Sequence, residues 1–74
     1  MKGYDNTTTV REINEAVKDA RKAGKNFYWV PNDRKVEYGI RITHARTRGG
    51  EKQVHALGSG EWYTVVPGDT FWER

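Results

Sequence analysis

The chain contains no cysteine, and this absence excludes several kinds of structure and chemistry. A disulfide framework, a zinc site with thiolate ligands and a cysteine nucleophile are all ruled out. The fold must therefore be stabilised by buried aliphatic and aromatic side chains, including three Trp, four Tyr and two Phe. Each large ring buries roughly 150–250 Å². The lack of cysteine also favours a reducing compartment.

Long hydrophobic runs are missing too. The longest strongly apolar segment is Phe27–Val30, and Pro31 ends it. A membrane-spanning helix needs about 20 apolar residues, and a secretory signal needs an apolar region near the start of the chain. We therefore expect a soluble, cytoplasmic protein that makes no contact with membranes.

Recognisable catalytic motifs are lacking as well. No glycine-rich loop is followed by Lys-Ser or Lys-Thr, the pattern that cradles nucleotide phosphates. The single serine, Ser59, lies between Gly58 and Gly60, which is typical of a tight turn. A serine–histidine–acid arrangement would need His44 or His55 to reach that turn. The sequence predicts a protein that is not an enzyme and that uses no cofactor or metal.

A chain of 74 residues corresponds to one domain. We expect a mobile polar segment over residues 1–8 and a single α+β domain over residues 9–74. Residues 34–52 carry six basic and two acidic side chains, whereas residues 53–74 carry a net charge of −2. A basic block can attract phosphate, and a solvated hairpin accounts for the same excess equally well.

Residues 10–23 are predicted to form an amphipathic helix. Thr9 and Glu12 fit a capping box at its start, and Gly24 suits the left-handed residue after its last turn. Apolar residues at spacings of three and four form one stripe, which consists of Val10, Ile13, Ala16, Val17 and Ala20.

After Gly24 the apolar period changes to two, which is typical of strands. We predict four strands and a short fifth one: Asn26–Val30, Lys35–Arg46, Lys52–Leu57, Glu61–Val66 and Thr70–Trp72. The turn residues between them are Pro31–Arg34, Arg48–Glu51, Gly58–Gly60 and Val66–Asp69. The expected architecture is a helix packed on one face of a four-stranded antiparallel β-meander.

Hairpin tips at Asn32-Asp33, Gly49-Gly50 and Ser59-Gly60 give cross-strand pairs that agree with one another. A slip of one residue would turn every side chain to the other face, so this agreement favours one register. The register places these residues on the helix side, as core: Phe27, Trp29, Val36, Tyr38, Ile40, Ile42, Leu57 and Trp62. The other side, which no second helix covers, receives Tyr28, Val30, Lys35, Glu37, Arg41, Thr43, Ala45, Lys52, Val54, Ala56, Tyr63 and Val65.

The same register makes His44 and His55 a cross-strand pair at the end of the core. Two imidazoles can ligate a metal ion, but a third or fourth ligand is normally needed, and no carboxylate is expected beside them. A pair of half-buried imidazoles that bond one another is the favoured interpretation. Protonation at about pH 6 would loosen this hairpin by charge repulsion.

The segment Gly24-Lys25-Asn26-Phe27-Tyr28-Trp29 follows the amphipathic helix and precedes a basic hairpin. In this order of elements, residues 10–42 resemble small uncharacterised bacteriophage and prophage proteins. The resemblance implies an accessory or takeover role through binding of a host protein or nucleic acid. It carries no functional residues across.

The uncovered face and the basic hairpin predict a non-enzymatic binding module. Nucleic acid is slightly favoured as the partner, because cations beside aromatic rings hold a phosphate backbone while the rings stack on bases. The alternative is a protein-interaction module, such as an inhibitor of a host protein or a small homodimer, with apolar anchors and a charged rim. The candidate binding residues are Tyr28, Lys35, Arg41, Arg46, Arg48, Lys52, Tyr63 and Val65.

Overall fold

The computed structural model describes residues 2–74, with Lys2 described by its backbone alone. Its α-helix is α1 (Val10–Lys22). The strands are β1 (Lys2–Asp5), β2 (Phe27–Val30), β3 (Ile40–Arg48), β4 (Glu51–Ala56), β5 (Trp62–Thr64) and β6 (Thr70–Glu73). They form a six-stranded antiparallel sheet in the order β1-β6-β2-β3-β4-β5. The described part of the chain is thus α+β, and it contains no helix with the length and apolarity needed to cross a membrane.

The helix forms where its local signals predict it. The Glu12 N–H donates to the Thr9 hydroxyl at 3.1 Å, and the Thr9 N–H donates to the Glu12 carboxylate at 3.0 Å. These two bonds satisfy backbone donors that the first turn would otherwise leave without partners. Gly24 adopts the expected positive φ of 72° after the last turn. The stripe then buries its central members against the sheet: Ile13, Ala16, Val17 and Ala20.

Two strands enlarge the predicted sheet from four strands to six. β6 lies between β1 and β2 and pairs with both, so the predicted meander with a short fifth strand is incomplete. Phe71 of β6 is fully buried in the core beneath α1. Residues 2–5, within the segment predicted to be mobile, form β1 at the sheet edge. Met1 lies outside the described residues.

The connection between β2 and β3 departs from the predicted hairpin. The turn at Pro31–Arg34 is present, with the Arg34 N–H bonded to the Pro31 carbonyl at 2.9 Å. The chain then forms a 3₁₀ turn at Val36–Tyr38, and β3 begins only at Ile40. Trp29 therefore pairs with Ile40, and the predicted pairing of Trp29 with Val36 is wrong.

The same connection explains why Val30 is buried although its side chain points away from α1. A Cβ placed on Gly39 would lie 3.1 Å from both Tyr28 Cβ and Val30 Cγ2. The backbone therefore passes directly over these two residues, which leaves little room for a side chain at position 39. Tyr38 consequently points into solvent and is 64% exposed, so its predicted place in the core is wrong.

The β3–β4 hairpin contains the feature that decides which side chains share a face. Gly49 and Gly50 have φ values of 59° and 77°, which a type I′ hairpin turn requires. From this tip the pairing runs in register to His44 and His55, as predicted. A β-bulge then inserts Thr43 as an extra residue, so that Ile42 pairs with Ala56 instead of Leu57.

Because of the bulge, the β3 side chains from His44 to the hairpin tip point to the opposite faces from those that strict alternation predicts. Ile42 faces α1, and so does Ala45 three residues later, together with its partner Val54. Four residues predicted in the core lie outside it: Val36, Tyr38, Leu57 and Trp62. Six residues predicted on the uncovered face are instead buried or packed on the helix side: Ala45, Lys52, Val54, Ala56, Tyr63 and Val65.

Asn14 joins α1 to Ala45 of β3, beyond the part of β3 that pairs with β2. Its side-chain Nδ2 donates to the Ala45 carbonyl at 3.1 Å, and its Oδ1 accepts from the Ala45 N–H at 2.7 Å. These are the two bonds that a neighbouring strand would otherwise make to Ala45. The amide thus satisfies an otherwise open edge of β3 and fixes the helix above the bulge.

Candidate functional site

The outer face, defined as the sheet face opposite α1, combines aromatic and imidazole rings with arginine side chains. Strand alternation and the ladder pairs place the following residues on it: Tyr28, Arg41, His44, Arg46, Arg48, Gln53, His55, Trp62, Trp72 and Arg74. No helix among residues 2–74 covers this face. Only the 3₁₀ connection crosses it, above Val30.

The most ordered part of the outer face is a cluster of two imidazoles and one indole. The rings of His44 and His55 have centroids 5.3 Å apart. Each of them makes an edge-to-face contact with Trp62, with ring centroids 5.0 Å apart. The cluster exists because β5 places Trp62 directly opposite His55, which in turn pairs with His44.

The bulge residue Thr43 holds this cluster together. Its hydroxyl oxygen lies 2.8 Å from Nδ1 of His44 and 2.8 Å from Nδ1 of His55. A hydroxyl has one proton, so it donates to one imidazole and accepts from the Nδ1–H of the other. The two histidines therefore hold different tautomers, and protonation of the accepting Nδ1 would require the Thr43 hydroxyl oxygen to accept from both imidazoles.

The surroundings favour the neutral form of His44. Burial lowers the pKa of His44 below its usual value, and the positive charges of His55, Arg21 and Arg46 lower that pKa further. Positive charge at this end of the outer face is consequently supplied by Arg46, while the His44 imidazole favours its neutral form.

Two arginines lie directly over rings of the outer face. The Arg46 guanidinium carbon is 3.7 Å from the Trp62 ring centroid, and its Nε donates to Gln53 at 2.9 Å. The Arg74 guanidinium carbon lies 4.5 Å above the ring of Tyr28. Each pair combines a cation–π contact with a flat guanidinium whose outer surface remains available for stacking or for phosphate.

The outer face has an excess of positive charge. Four arginines occupy its strand positions or lie over its rings: Arg41, Arg46, Arg48 and Arg74. The opposing carboxylates are Glu51, paired with Arg48 at the hairpin, Asp5, on the far edge strand β1, and Glu37, in the 3₁₀ turn that crosses the face. Such an imbalance attracts anionic ligands to the surface that carries the rings.

The structure brings only part of the predicted site together. The outer face carries Tyr28, Arg41, Arg46 and Arg48. Lys35 is exposed but lies apart from the strands, immediately before the 3₁₀ turn.

Three predicted binding residues lie on the helix side of the sheet. The Lys52 ammonium donates to the backbone carbonyls of Asn6 and Thr8, so it ties down the segment before α1. The Tyr63 ring stacks on Trp29 at a centroid distance of 5.4 Å, and Val65 packs against the core. Their predicted place on the uncovered face is wrong, because the bulge reverses the phase of β4 and β5 relative to β2.

The sequence interpretation missed other members of the outer face, namely Trp62, Trp72 and Arg74. Trp62 was assigned to the core by a register that had no bulge. The His44–His55 pair could have indicated the correct face of Trp62. Imidazoles favour the solvated face of a sheet, and Trp62 lies opposite His55.

Within residues 2–74, no three side chains of the metal-ligating types lie close enough to hold a metal ion together. The arrangement of rings and arginines on the outer face offers stacking, hydrogen bonding and positive charge. No protein-family model, curated protein or solved structure matches the chain.

Proposed function

We propose that the protein is a non-enzymatic module that binds single-stranded nucleic acid on its outer face. The observation that carries this proposal is the combination of open rings and arginines on one sheet face, above all the Arg46–Trp62 pair beside the two histidines. Flat rings accept bases of any sequence, and arginines neutralise the backbone between them. The accessory role expected of phage-type proteins is part of the same proposal.

The layout suits a strand that crosses the sheet. Trp72, Tyr28 and Arg41 lie side by side on β6, β2 and β3. Neighbouring strands are about 4.8 Å apart, so each such row spans roughly 10 Å. The histidine–tryptophan cluster forms a second row across β3, β4 and β5. Together the two rows give an extended ligand several contact points.

Nucleic acid is favoured over a protein partner because most of the apolar residues that would anchor a protein are buried within the fold. A protein-binding face would use Tyr28, Val54, Tyr63 and Val65 as anchors, and of these only Tyr28 lies on the outer face. Val54 is fully buried, and Tyr63 and Val65 pack against the core. What remains on the outer face is aromatic and basic. Protein interfaces are depleted of charge at their centre, whereas nucleic-acid surfaces are rich in it.

The test is a salt-dependent binding titration with labelled oligonucleotides of about 16 nucleotides, followed by fluorescence anisotropy. If four arginines contact phosphates, the logarithm of the affinity should fall with the logarithm of salt at a slope near −3. Arg46→Gln should make this slope shallower by about 0.7. Arg11→Gln is the matched control. Arg11 lies exposed on α1 beside Glu15, so this substitution removes the same charge at a distance from the outer face.

Absence of oligonucleotide binding at low salt would refute the proposal. Equal loss of binding in Arg46→Gln and Arg11→Gln would also count against it, since only net charge would then matter. A protein captured from lysate in the presence of nuclease, and released by Trp62→Ala, would assign the same face to a protein partner instead.

A further inference from the structure

A small cavity lies between the end of α1, the start of β2 and the bulge of β3. Its volume is about 60 Å³, several times the roughly 10–15 Å³ that admits one water molecule. Its polar and rim residues are Arg21, Lys25, Asn26, Arg41, Thr43 and Leu57, while apolar core residues form the floor. The cavity is therefore large enough for a small polyatomic ligand.

The charge around this cavity is of one sign. Arg21, Lys25 and Arg41 line it, and no carboxylate is among its lining residues. Lys25 is partly neutralised, because its ammonium lies 3.5 Å from the Glu73 carboxylate. The cavity is therefore positively charged mainly by Arg21 and Arg41. Like charges that converge on a partly enclosed space favour occupation by an anion.

The end of α1 does not oppose an anion as a free helix C-terminus would. The carbonyls of Asp19, Ala20 and Arg21 accept from the N–H groups of Ala23, Lys25 and Gly24, at 2.8–3.1 Å. These bonds occupy three of the last four carbonyls of the helix and so weaken the negative end of its dipole. The cavity is therefore left with the basic side chains of α1 rather than with its carbonyls.

A neutral donor adds to the lining. Asn26 contributes a side-chain amide, while Thr43 also lines the cavity but uses its hydroxyl proton in the histidine cluster. The positive potential extends beyond the cavity, since the charge of Arg21 helps to lower the pKa of His44. Arg41 belongs both to the cavity and to the outer face, where it pairs with Tyr28.

We propose that this cavity binds a phosphate group. Two guanidinium forks and one ammonium offer more donors than the two oxygens of a carboxylate can accept, whereas a terminal phosphate has three free oxygens and a charge of about −1.5 to −2. The phosphate comes either from a free phosphate ion or ester, or from the end of a nucleic-acid strand. The inference stands apart from the proposed function, because it holds whether or not the outer face binds bases.

The experiment is a titration of the ¹⁵N-labelled protein with sodium phosphate, followed by NMR and compared with sodium chloride at matched ionic strength. The amide signals of Arg21, Thr43 and Leu57 should shift with saturation in phosphate only. Arg21→Gln and Arg41→Gln should each weaken the binding roughly tenfold or more. Arg11→Gln, which removes one charge from the same helix far from the cavity, should leave it unchanged. All three arginines are exposed, so the variants are expected to fold.

A second titration identifies the source of the phosphate with one oligonucleotide prepared with and without a 5′-phosphate. A gain in affinity from the 5′-phosphate that is lost in Arg21→Gln supports a strand end as the ligand. Saturable binding of inorganic phosphate without that gain supports a free phosphate ion or ester. Failure of inorganic phosphate to shift these signals, or equal shifts in chloride, overturns the inference even if oligonucleotides bind the outer face.

Discussion

Replacement of the buried carboxylate of Asp69 should cost the fold a large part of its stability. Asp69 is 1% exposed, and it accepts hydrogen bonds from the Trp29 indole N–H at 3.0 Å, the Asn32 N–H at 3.0 Å and the Val66 N–H at 2.9 Å. It therefore joins the turn after β2 to the turn before β6. Asp69→Ala leaves three donors without their acceptor and leaves a cavity beside Trp29.

The magnitude follows from the nature of these bonds. A hydrogen bond to a charged group contributes about 1.5–3 kcal/mol, and a buried donor left alone costs about 1–3 kcal/mol. Because the two backbone donors lie partly in reach of water, we expect a total loss of about 3–5 kcal/mol. A domain of this length has about 4–11 kcal/mol in all, so Asp69→Ala should lower the Tm by at least about 12 °C.

Urea unfolding followed by tryptophan fluorescence measures this loss. Asp33→Ala, in the exposed turn nearby, is the control and should change the free energy of unfolding by no more than about 0.5 kcal/mol. A double-mutant cycle between Asp69→Ala and Trp29→Phe should show coupling of about 1–2 kcal/mol. A loss below about 1 kcal/mol, or the absence of coupling with Trp29, would refute the role assigned to this carboxylate.

Three further predictions concern the pH response, the tie from α1 and the edge of the sheet. Because the pKa of His44 is lowered in the fold, the unfolded chain binds the proton first. Stability should be full above about pH 6.5 and fall as the pH drops through that value, and His44→Gln should flatten this fall in urea midpoints measured from about pH 8 to about pH 5.5. Asn14→Ala should lower the free energy of unfolding by about 1–3 kcal/mol, because the Ala45 N–H and carbonyl lose their partners; a change no larger than that of an exposed helix variant would contradict the tie. Gly3→Val should detach β1, because a Cβ there would lie 2.7 Å from the Trp72 ring, and unchanged hydrogen exchange of β1 would contradict this.

The helix and the glycine turn were predictable because their signals are local. The Thr9–Glu12 capping box and the apolar stripe act within one element, and the pair Gly49-Gly50 selects the type I′ turn by itself. Two structural departures had no local signal. The bulge at Thr43 depends on how β3 meets its partners on both sides, and the position of β6 beside β2 joins residues that are far apart in the chain.

The bulge also decided how much of the candidate site could be predicted. Tyr28 and Arg41 lie before the bulge in the chain, so strand alternation alone placed them on the outer face. Arg46 and Arg48 reach that face only because the extra residue reverses the phase. The same reversal takes Tyr63 to the helix side. Alternation is a reliable guide only as far as the ladder stays regular.

The claim that the outer face binds bases rests chiefly on Trp62, and its own fluorescence gives the most direct test. Oligonucleotide should quench the tryptophan signal as bases stack on the half-buried Trp62 and Trp72 of the outer face, while Trp29, which is 6% exposed, stays silent. The decisive measurement is made in a Trp72→Phe background, in which Trp62 is the outer-face tryptophan that remains. The account predicts that quenching persists in this background, that a further Trp62→Phe change abolishes it, and that Tyr63→Phe, the adjacent ring on the opposite face, preserves it. Quenching that survives when Trp62 and Trp72 are both replaced, or binding without any quenching, would contradict it.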